Sequence, residues 1–326
     1  MPGSPAGKKT TVIGCGRWGA FLAWYSARCG HKTMLYGRPS SQRLKELKSI
    51  RKNEYLELPD AVEISDDLNK ALAHSDFLLI SMSTKALRGF CEQVPEDLLV
   101  GKTLVLCMKG LEQNTGARLT RVVQTATKGV CSVAVWLGPG HVQDFVQDIP
   151  NCMVIDSDNV ETTKVLIQMY SSPLIRLYIG QDLIGNEVGA ATKNIIGIAA
   201  GMLDGLELSA LKGALMSRGS REISRLIRAM GGNEQTVYGL AHLGDYQATL
   251  FSQHSNNRAF GENFVTNKKF ERLAEGVPTL NAVIQLAKSH DVELPICQAL
   301  HKILHLGDDP RAVLKELFLR PLKSEL

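Results

Sequence analysis

Thr10-Thr11-Val12-Ile13-Gly14-Cys15-Gly16-Arg17-Trp18-Gly19 is the stretch on which the fold turns. Gly14, Gly16 and Gly19 spell G-x-G-x-x-G. A β-branched run precedes them and a helical pattern follows. In that context each glycine has a physical task. Gly14 permits a tight turn, Gly16 lets a pyrophosphate approach the backbone, and Gly19 lets the helix pack closely on its strand. The free N–H groups and positive dipole end of that helix then face the phosphates. The spacing alone arises by chance. Placed between a strand and a helix, it predicts a dinucleotide site.

The next strand refines that reading. It runs Met34-Leu35-Tyr36-Gly37-Arg38-Pro39-Ser40-Ser41 and ends without an acid. A carboxylate there would hold a ribose 2′-hydroxyl and repel a 2′-phosphate. Arg38 stands in that region, with Ser40, Ser41 and Arg43 nearby, and a guanidinium grips phosphate bidentately. NADP(H) is therefore expected ahead of NAD(H). FAD is disfavoured, because no second flavin-binding segment is visible.

Outward from the turn, short apolar runs alternate with helical patterns. Strands are expected over 10–14, 32–36, 77–81, 103–107, 133–137, 152–156 and 175–179, with helices between them. This alternation predicts a parallel, doubly wound sheet. Past Gly180-Gln181-Asp182 the patterns are helical only. The expected fold class is α/β, a Rossmann-type N-terminal domain followed by an all-helical domain. Residues 1–8 read as a disordered lead rather than a signal peptide, 9–180 as the NADP-binding domain and 181–326 as the substrate domain.

Composition narrows the function class. The chain has 326 residues, 44% of them hydrophobic, and a net charge of +4. That supports a sizeable core and gives no sign of a nucleic-acid partner. No uncharged run reaches the ~18 residues of a membrane span. Seven cysteines without a C-x-x-C pair read as reduced thiols in a cytoplasmic setting. His301 and His305 have metal-ligand spacing but no third partner nearby, so no metal is expected.

A second decisive stretch runs from Gly185 to Gly201. Positions 185, 189, 193, 197 and 201 are Gly, Gly, Lys, Gly and Gly. Residues four apart share one helix face. Each glycine costs about 1 kcal/mol relative to Ala, so something must approach that face closely. Lys193 is the one side chain on it. A lysine in a tight cleft has a lowered pKa and becomes a usable acid or base. The simpler alternative is a helix crossing with Lys193 extended to solvent.

Several ordered motifs resemble the bacterial-type NAD(P)-dependent sn-glycerol-3-phosphate dehydrogenase family over most of the chain. Besides the glycine turn, Met108-Lys109-Gly110-Leu111-Glu112 resembles its T-K-G-L/I-E, and Leu137-Gly138-Pro139 its S-G-P. Ala191 to Ile195 followed by Gly201 to Gly205 is similar to V-K-N with G-x-x-D-G. Leu243-Gly244-Asp245 resembles L-G-D, Asn257 to Gly261 resembles N-R-x-F-G, and Ala274-Glu275-Gly276 resembles V-E-G.

The resemblance implies hydride transfer between nicotinamide and the central carbon of dihydroxyacetone phosphate, feeding glycerophospholipid synthesis, in a homodimer. It implies Lys193 as the proton donor, with Lys109 and Asp245 as its catalytic companions. Substrate contacts are implied for Lys109, Gly138, Asn194, Thr249, Asn256 and Asn257. With the glycine motif, it implies cofactor contacts from Gly14, Gly16, Arg17, Trp18, Gly19, Arg38, Lys109, Val142, Arg258, Leu273 and Glu275.

Two departures stand out. The family's hydroxyl residue after S-G-P is Gly140 here, and its R-N-R is Asn256-Asn257-Arg258. Loss of a charged hydrogen bond to phosphate costs about 1.5–3 kcal/mol. Two other readings follow: a related dehydrogenase for a different small hydroxy or keto substrate, and a non-catalytic NADP-binding sensor.

Overall fold

A computed structural model describes residues 7–321 and Ser324. Its sheet contains β1 (Lys9–Ile13), β2 (Lys32–Tyr36), β3 (Val62–Ser65), β4 (Phe77–Ile80), β5 (Thr103–Leu106), β6 (Ser132–Leu137), β7 (Asn151–Ser157) and β8 (Ile175–Ile179). Their spatial order is β3-β2-β1-β4-β5-β6-β7-β8. The first six follow the dinucleotide-fold order, with its switch point between β1 and β4.

Alternating side chains of the central strands bury on opposite faces. Val12, Leu79 and Val105 enter one core, and Ile13, Leu78, Ile80, Leu104 and Leu106 the other. A strand covered on both faces reads as a continuous apolar run, which explains Phe77–Ile80 and Thr103–Leu106. The covering helices are α1 (Arg17–Arg28), α2 (Gln42–Ile50), α3 (Leu68–His74), α4 (Thr84–Gln93), α5 (Leu119–Ala126), α6 (Val142–Phe145) and α7 (Val160–Tyr170).

Three details differ from the sequence expectation. β3 is an additional edge strand, with Glu63 on it. Asp67 does cap a helix, accepting from Lys70 N at 3.1 Å. The sheet is not wholly parallel, because β6 and β7 pair antiparallel. The expected lead through residue 8 concerns residues 1–6, which lie outside the described residues. Gly7 and Lys8 depart from it, since Gly7 N donates to Gly30 O at 3.0 Å and Lys8 O accepts from Lys32 N at 2.9 Å.

Beyond Ile179 the described residues form helices and turns only: α8 (Leu183–Gly205), α9 (Lys212–Ala229), α10 (Asn256–Val265), α11 (Gly276–Ser289), α12 (Pro295–His301) and α13 (Pro310–Phe318). α8 is the buried axis of this half. Its glycine stripe faces close neighbours. A Cβ at Gly201 would lie 1.8 Å from Arg258 O, and one at Gly261 of α10 would lie 2.1 Å from Ile198 O. The two backbones thus touch where both lack side chains. A Cβ at Gly197 would meet Thr249 Cγ2 at 2.7 Å.

Charged side chains fix the two ends of α8. Asp182 caps its start, accepting from Gly185 N at 3.0 Å, and also accepts from Thr236 Oγ1 at 2.7 Å. Buried Glu187 accepts from Arg118, from Thr120 N and from Thr120 Oγ1, which binds α8 to the first turn of α5. At the far end Asp204 pairs with Lys212 at 2.6 Å and Arg258 at 2.8 Å. The axis that carries Lys193 is therefore held at several points along its length.

Candidate active site

The glycine turn lies at the carboxyl end of β1, beside the switch point. Gly14 has φ +116°, and a Cβ there would lie 2.0 Å from Ser81 O, just past β4. At Gly19 a Cβ would lie 1.8 Å from Gly14 O. Only glycine fits either place. Gly16 differs: its nearest neighbour would be the Arg43 guanidinium at 3.7 Å, so the space above it is open. Gly16 also precedes α1 with no capping side chain and no acid in the first turn. An open approach, unfilled helix N–H groups and a nearby guanidinium fit an anionic pyrophosphate.

Around the turn, Arg17 places its guanidinium 5.6 Å from the Tyr55 ring. Trp18 packs inward, 4.8 Å from Phe21 and 6.3 Å from Phe145 between ring centroids. Arg38 is exposed just beyond β2. Ser41 is engaged in capping α2, accepting from Leu44 N at 3.4 Å. Arg38 and Arg43, whose guanidinium approaches Gly16, place positive charge at this end of the sheet.

A second cluster forms where β5, the loop after β6, α8 and the 243–251 segment meet. Asp245 Oδ2 lies 2.7 Å from Lys193 Nζ and 2.5 Å from Lys109 Nζ. Lys193 Nζ also donates to Thr249 Oγ1 at 2.7 Å, and Lys109 Nζ to Gly138 O at 2.7 Å. Thr249 in turn donates to Asp245 O at 2.8 Å from a π-helical turn over Gln247–Phe251. Such turns redirect side chains into functional sites. Lys193 is buried rather than extended to solvent. Burial pushes its pKa down to about 8, opposed by the Asp245 carboxylate and aided by the neighbouring Lys109. Two ammonium groups around one carboxylate leave an excess positive charge, suited to a substrate oxygen that becomes negative.

The remaining site residues from the sequence are distributed around this pair of clusters. Glu275 lies where Lys109, Lys193 and Arg17 all act on it, and burial raises its pKa against their pull. Leu273, nearby, is exposed. Asn194 is buried beside Lys193. Asn257 is buried too, and its Oδ1 accepts from Gly276 N at 2.9 Å, joining α10 to the start of α11. Asn256 occupies the first position of α10, and Ser255 caps that helix through Arg258 N at 3.3 Å. Arg258 is drawn away from the lysines to Asp204, Glu262 and Ser252 O.

The loop from Gly138 to α6 explains one departure. Gly138 and Gly140 have φ +132° and +144°, a region that side chains avoid. A Cβ at Gly140 would lie 2.3 Å from the Phe145 ring. The absent hydroxyl residue is thus tied to Phe145, which fills the space beneath. Val142 is buried in the core with Phe145.

Two histidines escaped the sequence reading. His141 Nε2 lies 3.0 Å from Ala248 O, with its ring 5.6 Å from that of His254. His242, fully buried, bonds Gly189 O through Nδ1 and the Tyr246 hydroxyl through Nε2. Its pKa is pushed down to about 4 by burial, so it is neutral scaffolding. The signal for His141 was its place directly after Gly138-Pro139-Gly140. Among the described residues no group of three or more His, Cys, Asp and Glu is placed to hold a metal, and no helix is long and apolar enough to cross a membrane.

The chain matches the models of the NAD-dependent glycerol-3-phosphate dehydrogenase N-terminus over residues 9–163 and C-terminus over residues 182–315. It is 33% identical over 330 residues to a glycerol-3-phosphate dehydrogenase, NAD(P)+, of Clostridium botulinum strain Alaska E43, covering 98% of this chain and 99% of that one. It is 34% identical over 328 residues to the enzyme of the same name from Chlorobium limicola, covering 97% and 98%. Among solved structures, the glycerol-3-phosphate dehydrogenase of Coxiella burnetii superposes with a TM-score of 0.89 at 29% identity, covering 97% of this chain and 100% of that one. With both halves matched by the family's models, the chain belongs to the NAD-dependent glycerol-3-phosphate dehydrogenase family.

Proposed function

We propose that this chain interconverts dihydroxyacetone phosphate and sn-glycerol 3-phosphate with a nicotinamide dinucleotide, NADP(H) ahead of NAD(H). The observation that carries the reading is the Lys193–Asp245–Lys109 cluster beside a dinucleotide turn, in a chain similar along its length to enzymes of that name. The nicotinamide, when bound, supplies the hydride; the protein supplies position and protons.

Gly14, Gly16 and Gly19, with the first turn of α1 at Arg17 and Trp18, hold the pyrophosphate. Arg38 and Arg43 receive the 2′-phosphate. Leu273 and Glu275 line the cofactor's path, with Val142 packed behind it and Lys109 at the junction with substrate. Arg258, bound to Asp204, supports that wall through α10 and does not reach in.

The substrate's central oxygen sits against Lys193. In ketone reduction Lys193 Nζ gives a proton to the developing alkoxide; in alcohol oxidation the neutral amine takes it back. Asp245 keeps Lys193 oriented through their 2.7 Å contact. Lys109, anchored on Gly138 O, adds a second positive charge where negative charge grows. Asn194, Thr249, Asn256 and Asn257 bound the substrate pocket. The division near residue 180 then separates cofactor binding from substrate binding, with the reaction at the seam.

Asn256 favours a second reading, an enzyme of the same chemistry on a less anionic hydroxy or keto substrate. A homodimer and a reducing cytoplasmic setting, in support of which all seven cysteines are free, complete the proposal, with glycerophospholipid synthesis as the consumer of the product. The test is NADPH oxidation by the purified chain over phosphorylated and unphosphorylated ketones. Fastest turnover of dihydroxyacetone phosphate supports the first reading, and fastest turnover of an unphosphorylated ketone the second.

A further inference from the structure

A phosphate dianion at this site needs a donor on the α10 side, and the expected cations there are committed elsewhere. Arg258 is bound to Asp204 and Glu262. Lys109 and Lys193 share Asp245. Position 256 carries a neutral amide. His141 and His254 remain, and both adjoin this place. His254 is two residues before Asn256, on the loop that leads into α10, and its backbone N donates to Ser252 Oγ at 3.1 Å. His141 reaches across to the same segment, where its Nε2–H donates to Ala248 O, next to the Thr249 that bonds Lys193. A carbonyl only accepts, so Nε2 carries the hydrogen and Nδ1 is left as the titrating atom. The rings meet edge to face at 5.6 Å and 70°.

We infer that His141, backed by His254, binds the phosphate end of the substrate in place of the arginine that Asn256 replaces, and that binding draws one proton from solvent onto His141 Nδ1. The inference rests on the proposed function, since it presumes a phosphorylated substrate. The groups that face His141 are Lys193 from α8, Arg17 from α1, Asp144 from α6, and His254 itself. Burial first, then Lys193 and Arg17, hold its pKa below the ordinary value, against the Ala248 carbonyl and Asp144. The free enzyme thus carries it neutral near pH 7. An arriving dianion offsets the two cations and favours the imidazolium, whose Nδ1–H then donates to a phosphate oxygen.

The experiment compares kcat/KM for dihydroxyacetone phosphate with that for dihydroxyacetone, in full-length wild type, His141→Gln, and His141→Gln with Asn256→Arg. Measurements run from about pH 7 to 9, where a phosphate of pKa near 6 stays dianionic. Titration of Lys193 affects both ketones and cancels in the ratio. The expected wild-type ratio falls with rising pH, toward tenfold per pH unit, because one proton must be taken up. His141→Gln lowers the ratio about tenfold at pH 7 and flattens its slope. The added Asn256→Arg restores the level without restoring the slope, which separates lost recognition from lost folding. A wild-type ratio and slope in His141→Gln overturns the inference and leaves the proposed function standing. Absence of turnover of dihydroxyacetone phosphate by wild type, with turnover of another ketone, overturns both.

Discussion

Lys193 Nζ lies 2.7 Å from Asp245 Oδ2, with the lysine side chain 8% and the aspartate 2% exposed. The same oxygen receives Lys109 at 2.5 Å. One carboxylate thus neutralises only part of a buried charge. Such a pair gives little net stability, because desolvation offsets most of its attraction. Its value is in keeping Lys193 oriented while burial holds its proton loosely.

The pH profile should follow. On the proposed mechanism ketone reduction needs the Lys193 ammonium, so its kcat/KM should decline as pH rises through about 8. Alcohol oxidation needs the free amine and should rise through the same region. Stability has its own sign. The folded pKa lies below the ~10.4 of a free lysine, so the unfolded chain binds more protons between these values. The penalty is fully present below the folded pKa and is relieved as pH rises above it. Stopped-flow rates and denaturant melts against pH check both limbs.

Asp245→Asn should lower the pKa of Lys193 further, because the group that raises it is gone while Lys109 still repels it. The alkaline limb of ketone reduction should move to lower pH. At pH values where Lys193 stays charged, leaving its buried ammonium without the Asp245 carboxylate should also cost about 3–5 kcal/mol, read as a lower midpoint in urea. An unmoved limb would mean that Asp245 does not set the charge state of Lys193.

Gly19→Ala and Gly201→Ala should separate the two functions of the chain. The first forces a Cβ to 1.8 Å from Gly14 O and should abolish tight dinucleotide binding by spreading α1 from its turn. The second forces a Cβ to 1.8 Å from Arg258 O and should push α10 off α8. It should raise the substrate KM with little change in cofactor affinity, at a stability cost of about 1–3 kcal/mol. Calorimetric titration with NADPH distinguishes them.

Arg38→Asp should reverse the cofactor preference. A charged hydrogen bond to phosphate contributes about 1.5–3 kcal/mol, which is roughly ten- to a hundredfold in affinity. The ratio of kcat/KM for NADPH over NADH should fall by at least that much, since the carboxylate also repels the 2′-phosphate. An unchanged ratio would point to Arg43 instead.

Much of this architecture was legible because its signals are local. The β-branched run before Gly14 and the spacing of its glycines specify a strand, a turn and a helix. The stripe through Lys193 announced a close approach, and α10 and Thr249 supply it. β3 was hidden because Val62–Ser65 is a four-residue edge strand with Glu63 in its middle, too short to display a period. The reversal of β7 has no local signature, because strand direction depends on the path of the connection. α10 has little local signature, since Asn256 and Asn257 are weak helix formers and the Ser255 cap is its clearest mark.

The site was legible in part. Lys109, Lys193 and Asp245 are far apart in the chain, and only resemblance linked them. The diversion of Arg258 to Asp204 depends on the crossing of α8 and α10, which sequence spacing does not convey. The same holds for His141, whose partner Ala248 lies 107 positions away.

The most direct measurement is NADPH oxidation with dihydroxyacetone phosphate by the purified chain beside its Lys193→Ala variant. The expected result is steady turnover by wild type and a kcat lower by about 10²–10⁴ in the variant, as for loss of a general acid, with NADPH still bound. Equal rates in the two proteins, or no turnover by wild type, would contradict the assignment of Lys193 as the proton donor of a glycerol-3-phosphate dehydrogenase.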